Sequence, residues 1–243
     1  MKTRLFLFVV ALVSLLISAY QPEGGCSSHE IFTKGTEFTW TTYNDKDSIL
    51  SYIDFFVESV TADPEELSAT VRTTSRNGKG ETGNSISCRY SCMKGTYYAD
   101  TKHFVVGAMG KADDINATYG ITPLKYPHAM KTGDTLPDAG ADATTRQSMG
   151  PKMPSLVFTT RVEMIHRVCD STQTITTPAG TWNCTRIRYT EQVRVSSSSG
   201  TKSLRSVDVI EWFNSGAGTV RLEYYANGKL GHYTVLTKFS VPK

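Results

Sequence analysis

The chain has 243 residues, with 26 lysines and arginines against 23 aspartates and glutamates. This near balance excludes a strongly basic surface, so the sequence gives no reason to expect nucleic acid as a partner. The length fits one large domain with a hydrophobic core of its own.

The first 19 residues have the pattern of a secretory signal peptide. Basic Lys2 and Arg4 precede an apolar run at 5–17, and small Ser18 and Ala19 follow it. The run is shorter than the about 20 residues that a transmembrane helix needs, and no later segment approaches that length. We therefore expect export to the periplasm, the outer membrane or the cell surface, with no transmembrane span in the mature chain.

Strand signals dominate the rest of the chain. Residues 50–62 are rich in β-branched and aromatic side chains, and residues 186–195 alternate between apolar and polar positions. Turn residues separate four consecutive antiparallel strand candidates in the C-terminal third. The pattern predicts an all-β fold, with an antiparallel sheet curled into a partly open barrel or a two-layer sandwich. We expect a flexible N-terminal segment at 20–35 and a single β domain at 36–243.

A proline-rich segment at 111–154 interrupts the strand pattern. It contains five of the nine prolines, and proline removes hydrogen-bond donors from a sheet. The sequence therefore predicts a long irregular segment that crosses between two parts of the sheet, typical of a lid or a binding loop. A linker between two domains is the alternative.

Five cysteines follow the signal peptide, and cysteines in an exported chain usually form disulfides. Cys169 and Cys184 flank a turn-rich stretch and are the first candidate pair. Cys88 and Cys92 are the second pair, but four residues of extended strand would separate them by about 13 Å, so they pair only across a turn. Cys26 is then left as a free cysteine or as a lipidation site.

Four phrases occur in an order shared with a known group of sequences. They are YP with KTGDTLPDA at 126–139, TTPAGTWNC at 176–184, EWF with GAGTVR at 211–221, and NGKL at 227–230. In these phrases the chain resembles uncharacterised exported β proteins of Gram-negative bacteria, often described as TapB-like or as a domain of unknown function. The resemblance implies a cell-envelope location and an antiparallel β architecture. It implies no catalytic residues.

The sequence shows no clear signature of catalysis. The five histidines have no metal-ligand spacing, and in the pair His166 and Cys169 the two positions point to opposite faces of a strand. Neither a nucleophile motif nor a phosphate-binding glycine loop is present. We therefore predict no catalytic residue, no metal and no cofactor.

Aromatic pairs give the remaining indication of function. Trp212 and Phe213, and likewise Tyr224 and Tyr225, place an aromatic ring on each face of one strand. In a curved sheet, one of these faces could line an apolar cavity. The leading hypothesis is a non-enzymatic envelope protein that binds an apolar or amphiphilic small molecule. A structural or interaction module that contacts other envelope proteins is the alternative, and a hydrolase is third.

Overall fold

The computed structural model describes Cys26 and residues 29–109, 118–147, 155–200 and 202–243. The signal peptide expected at 1–19 lies outside these residues.

One antiparallel sheet makes up almost the whole structure. A 3₁₀ turn at Glu30–Phe32 precedes it, and the helix α1 (Lys102–Met109) lies between the fifth and sixth strands. The strands are β1 (Glu37–Asn44), β2 (Ile49–Ala62), β3 (Glu66–Asn77), β4 (Thr82–Met93), β5 (Thr96–Ala99), β6 (Thr118–Thr122), β7 (Leu124–Pro127), β8 (Thr135–Leu136), β9 (Ala139–Gln147), β10 (Leu156–Thr177), β11 (Gly180–Ser197), β12 (Lys202–Asn214), β13 (Gly218–Ala226) and β14 (Lys229–Ser240).

The sheet curls until its two edges nearly meet. The strand order is β6-β9-β10-β11-β12-β13-β14-β1-β2-β3-β4-β5-β7, and the short β8 pairs with β10 beside β9. Pairing of β14 with β1 joins the N-terminal and C-terminal meanders, with Glu37 opposite Ser240. The edges are β6 and β7, and Pro123 alone separates them along the chain. The expected partly open barrel is confirmed, whereas the two-layer sandwich is not formed.

The C-terminal meander follows from alternation and turn chemistry. In β13 every second residue from Gly218 to Tyr224 is buried, which gives the strand one inner and one outer face. Asn227 and Gly228, which connect β13 to β14, have φ values of 51° and 73°. Asparagine and glycine adopt this left-handed region at low cost, so they favour a tight hairpin turn. The four consecutive antiparallel strands predicted for this region are confirmed as β11 to β14.

Aromatic side chains and the helix fill much of the barrel. Phe38 stacks on Phe55 with ring centroids 4.3 Å apart, and Trp40 contacts Phe55 edge-on at 4.9 Å. The helix α1 packs against β4, β9 and β10 and places His103 beside Trp40. The Asp100 carboxylate accepts the Lys102 backbone N–H, which satisfies one free donor at the start of the helix.

The proline-rich segment contains more sheet than its composition predicts. Residues 118–147 form β6, β7, β8 and β9, while 111–117 and 148–154 lie outside the described residues. The prolines fall where the ladder breaks, with Pro123 between two strands, Pro127 at the end of β7 and Pro137 after β8. The segment therefore crosses from one sheet edge to the other, as expected, but as short strands rather than as irregular chain.

The disulfide pattern differs from the expected one. Cys26 is bonded to Cys92, with the Cα atoms 5.5 Å apart, and Cys88, Cys169 and Cys184 are buried free thiols. Cys169 lies opposite Ile187 and Cys184 lies opposite Gln173, so the register offsets them along the hairpin by roughly 13 Å. This offset is too large for the expected Cys169–Cys184 bond, and Cys88 is likewise not bonded to Cys92.

The Cys26–Cys92 bond also changes the view of the N-terminal segment. A sulphur atom in a disulfide cannot form the thioether of a lipidated cysteine, so this structure does not fit lipidation of Cys26. From His29 onward, the segment expected to be flexible packs on the barrel. His29 is buried and stacks on Tyr97 at 4.7 Å, and Ile31 is also buried. The bond at Cys26 and these contacts hold residues 29–35 against the barrel.

Candidate functional site

A cavity of about 220 Å³ lies inside the barrel, at the end where β12 begins and β13 ends. Side chains from β1, β2, β10 to β14 and the helix α1 line it, and we call it the interior cavity. Its apolar wall includes the side chains of Trp40, Phe104, Val162, Val193 and Leu222. The volume is below the range of about 300–1,000 Å³ that is typical of ligand pockets, so it suits a small molecule or one part of a larger one.

Glu191 places a carboxyl group in this apolar wall. Alternation along β11 turns Ile187, Tyr189 and Glu191 to the inner face, and Glu191 is 5% exposed. Its neighbours across the adjacent strands are Met164 and Val207, both apolar and buried. Burial raises the pKa of the Glu191 carboxyl to about 7, although nearby Arg205 opposes this rise.

Arg205 lies at the mouth of the interior cavity. Its Nη2 is 3.7 Å from Oε1 of Glu191, and its side chain is 61% exposed. At this distance the two groups form a loose ion pair rather than a short hydrogen bond. Water therefore solvates the cation well, while the carboxylate remains poorly solvated.

Two histidines also line the interior cavity. His232 stacks on Tyr224 at 4.2 Å, and burial, together with the positive charge of Arg205, lowers the pKa of His232. His103 is buried against Phe104 and Trp40, and burial lowers its pKa to about 3. Both imidazoles are therefore neutral near pH 7. Nε2 of His103 has no hydrogen-bond partner among the described residues.

Exposed apolar side chains lie at the end of the barrel that contains the interior cavity. Leu50 and Leu204 are 48% and 61% exposed, and each is the direct chain neighbour of a residue that lines the interior cavity, Ser51 and Arg205. Ile49, beside Leu50, is also exposed. Adjacent strand residues point to opposite faces, so Leu204 faces outward while Arg205 faces the interior cavity, and these apolar side chains are exposed on the outside of this end of the barrel.

The opposite end of the barrel has a second cavity of about 190 Å³. Tyr126 and Phe213 line it, with their rings stacked at 4.0 Å. Tyr126 donates its hydroxyl hydrogen to Oε1 of the buried Glu211 at 2.7 Å, and Thr219 donates to the same oxygen. These contacts belong to a polar cluster that is shielded from water.

Arg167 extends this buried cluster. It is fully buried and packs its guanidinium group against the Tyr126 ring at 5.0 Å, and Nη1 donates to the Pro137 carbonyl. An irregularity in β10 precedes it, where His166 has a φ of 58° and its N–H donates to Asp138. This bulge disrupts the alternation, so the sequence pattern does not indicate that Arg167 is buried.

The aromatic residues proposed as ligand-lining divide between the two faces of the sheet. Tyr224 lines the interior cavity, and Phe213 lines the second cavity. Trp212 lies on the outer face, packed against Arg186 and Arg221, and its Nε1 donates to Gln173. Tyr225 also faces outward, and its hydroxyl donates to Glu223. Trp212 and Tyr225 line neither cavity, because adjacent strand residues point to opposite faces.

The buried carboxylates of Glu191 and Glu211 were not predicted from the sequence. Glu191 and Glu211 each occupy an inner position in a strand whose neighbouring inner positions are apolar or aromatic. A charged residue at such a position is itself a signal, since burying an unpaired charge is costly.

Within the described residues, no cluster of three or more histidine, cysteine, aspartate or glutamate side chains is arranged to hold a metal ion. The described part of the chain also contains no helix with the length and apolar character needed to cross a membrane.

Two solved structures have the same fold. A "putative lipoprotein" from Parabacteroides distasonis ATCC 8503 superimposes with a TM-score of 0.71 at 20% identity, over 90% of this chain and 100% of its own. A "putative exported protein with YmcC-like fold" from Bacteroides fragilis NCTC 9343 gives a TM-score of 0.69 at 21% identity, over 85% of this chain and 96% of its own.

No curated protein sequence matches the chain significantly. The model of a protein family described as DUF3108-like matches residues 33–236, which include every strand of the barrel except the last residues of β14. The chain belongs to the DUF3108-like family.

Proposed function

We propose that this protein is exported to the cell envelope and binds the apolar part of a small amphiphile in the interior cavity. The observation that carries the proposal is a cavity of about 220 Å³ at one end of the barrel, lined by apolar side chains and by buried polar groups. Apolar and aromatic side chains combined with polar groups that can orient a ligand are typical of small-molecule sites, and this cavity has both. The descriptions of the two similar structures, one as a lipoprotein and one as exported, support the location.

Binding is favoured over catalysis by the arrangement of the polar groups. A nucleophile and its general base normally lie within hydrogen-bond distance of each other. In the described part of the chain, Glu191 forms no hydrogen bond with His103 or His232, and its ion pair is with Arg205. The cavity lining also contains no cysteine. These groups are suited to recognising a polar end of a ligand.

The size of the interior cavity limits what enters it. An apolar cavity of about 150 Å³ can hold a benzene-sized group, so about 220 Å³ takes a short alkyl chain or a single ring. A long-chain lipid would leave most of its tail outside the cavity. The proposal therefore concerns small amphiphiles, or one end of a larger molecule.

A series of straight-chain alcohols from butanol to decanol tests the proposal. Each methylene that enters the cavity should strengthen binding by about 0.8 kcal/mol, roughly fourfold in affinity, until the cavity is full. Trp40 lines the cavity, so its fluorescence reports binding in a variant in which Trp182 and Trp212 are replaced by phenylalanine. Calorimetry on the unmodified protein provides an independent measurement.

A pair of matched variants locates the binding site. Val193→Phe adds a ring to the wall of the interior cavity and should abolish chain-length-dependent binding. Gln192→Phe adds the same ring one position away, on the outer face of β11, and should leave binding unchanged. No alcohol binding, or equal binding by both variants, would contradict the proposal.

The alternative function is an interaction module that contacts other envelope proteins. The exposed apolar side chains of Ile49, Leu50 and Leu204 are the observation that favours it. Under this alternative, replacing Leu50 and Leu204 with serine would weaken contact with a partner. Alcohol binding in the interior cavity would be absent.

A further inference from the structure

The charges around the interior cavity are unevenly distributed. Glu191 is inside the wall and 5% exposed, whereas Arg205 is at the mouth with its side chain 61% exposed. His103 and His232 line the cavity as neutral imidazoles near pH 7. The buried charge of the cavity lining is therefore a carboxylate, and its compensating cation lies in water.

Aromatic rings line the same cavity as this carboxylate. Trp40, Phe104 and Tyr224 all line the same cavity, and Tyr224 is stacked on His232. The face of an aromatic ring carries partial negative charge and attracts cations, most strongly where water is excluded. A carboxylate together with aromatic faces forms an environment that favours a positively charged group.

Arg205 compensates Glu191 incompletely. The separation of 3.7 Å is longer than a charge-assisted hydrogen bond, which is about 2.7–2.9 Å. The raised pKa of Glu191 also indicates incomplete compensation, because a well-paired carboxylate would keep a low pKa. A ligand cation inside the cavity could approach Glu191 more closely, while Arg205 turns outward into water.

We propose that the ligand of the interior cavity carries an ammonium group, which pairs with Glu191 between the rings of Trp40, Phe104 and Tyr224, while a short apolar group fills the remaining space. This inference rests on the proposed function, since it names the polar end of the same ligand. The ligand class is a small alkyl or aryl amine.

Three probes with the same chain separate this inference from the proposed function. Hexylammonium, 1-hexanol and hexanoate share a six-carbon chain and differ in the charge of the polar end. At pH 8, where Glu191 is ionised, hexylammonium should bind about tenfold more tightly than 1-hexanol, as expected for a hydrogen bond to a charged group. Hexanoate should bind more weakly than 1-hexanol, because its carboxylate would meet Glu191.

Two variants and a control test the role of Glu191. Glu191→Gln should remove the preference for hexylammonium and leave the binding of 1-hexanol within about twofold. The control is Glu163→Gln, which makes the same change of charge in β10, where Glu163 forms an ion pair with Arg161 at the protein surface. This variant should keep the preference for hexylammonium. Arg205→Gln removes the competing cation and should strengthen hexylammonium binding, which tests the inference even if Glu191→Gln fails to fold.

The outcomes are distinct. Binding of 1-hexanol without a preference for hexylammonium, or with a preference for hexanoate, would overturn the ammonium inference and leave the proposed function standing. Weaker hexylammonium binding in Arg205→Gln at pH 9 as well as at pH 8 would also overturn it, because the higher pH keeps Glu191 ionised after its pKa rises on loss of Arg205, and Arg205 would then support the ligand rather than compete with it. If none of the three probes binds, the inference and the proposed function fail together.

Discussion

The buried carboxyl group of Glu191 makes the stability of the protein depend on pH. Its pKa is about 7 in the folded protein against an ordinary value of 4.5. The folded state therefore holds a proton that the unfolded state has already released between these two values. Stability from this group is fully present below pH 4.5 and is lost as the pH rises through 7.

The size of this loss follows from the pKa difference. Each unit corresponds to about 1.4 kcal/mol, so ionising Glu191 in the folded state costs about 3 kcal/mol by pH 8. About 1 kcal/mol of this penalty is already present at pH 5. Glutamine cannot ionise, so the Glu191→Gln variant does not have this penalty. Between pH 5 and pH 8, the free energy of unfolding of Glu191→Gln should therefore rise by about 2 kcal/mol relative to that of the original protein.

Urea unfolding at pH 5 and pH 8, followed by tryptophan fluorescence, measures this difference. The control is Glu163→Gln, which removes an outer-face carboxylate from its ion pairs with Arg161 and Arg194. Its effect should stay within about 1 kcal/mol at both pH values, because exposed ion pairs contribute little. If Glu191→Gln shows the same free-energy difference at both pH values, Glu191 is not buried as an ionisable group and the account of the interior cavity is wrong.

A disulfide and a hydrogen bond, both remote from the interior cavity, give two further predictions. Replacing Cys26 and Cys92 together with serine should lower the free energy of unfolding by about 4 kcal/mol, since the bond closes a loop of 66 residues. Urea unfolding tests this, and finding either cysteine bonded elsewhere by peptide mapping would contradict the pairing. Tyr126→Phe removes the hydroxyl that donates to the buried carboxylate of Glu211 and should cost about 2 kcal/mol in the same assay. A loss below about 0.5 kcal/mol would mean that this hydrogen bond does not support the carboxylate.

Local patterns in the sequence predict most of the sheet. Alternation and turn residues give the C-terminal meander, and the Asn227-Gly228 turn forms as its chemistry requires. Local patterns do not predict the pairing of strands that are distant in the sequence. The pairing of β14 with β1 is of this kind, because it connects residues near opposite ends of the chain. The Cys26–Cys92 bond is equally non-local, and the 15-residue spacing of Cys169 and Cys184 pointed to the wrong pair.

The candidate site was predicted less well than the fold. The sequence places aromatic residues on both faces of β12 and β13, but it does not show which face turns inward. The structure places Phe213 and Tyr224 inside and Trp212 and Tyr225 outside. Glu191 could have been found as a charged residue in an otherwise apolar inner row, whereas the burial of Arg167 depends on the bulge at His166.

Native mass spectrometry shows directly whether the interior cavity holds a small amphiphile. The protein would be purified without detergent from the exported fraction of the cells that produce it, alongside its Val193→Phe and Gln192→Phe variants. We expect a bound small molecule on the original protein and on Gln192→Phe, and its loss from Val193→Phe. A ligand-free original protein, or the same bound molecule on all three proteins, would contradict this expectation.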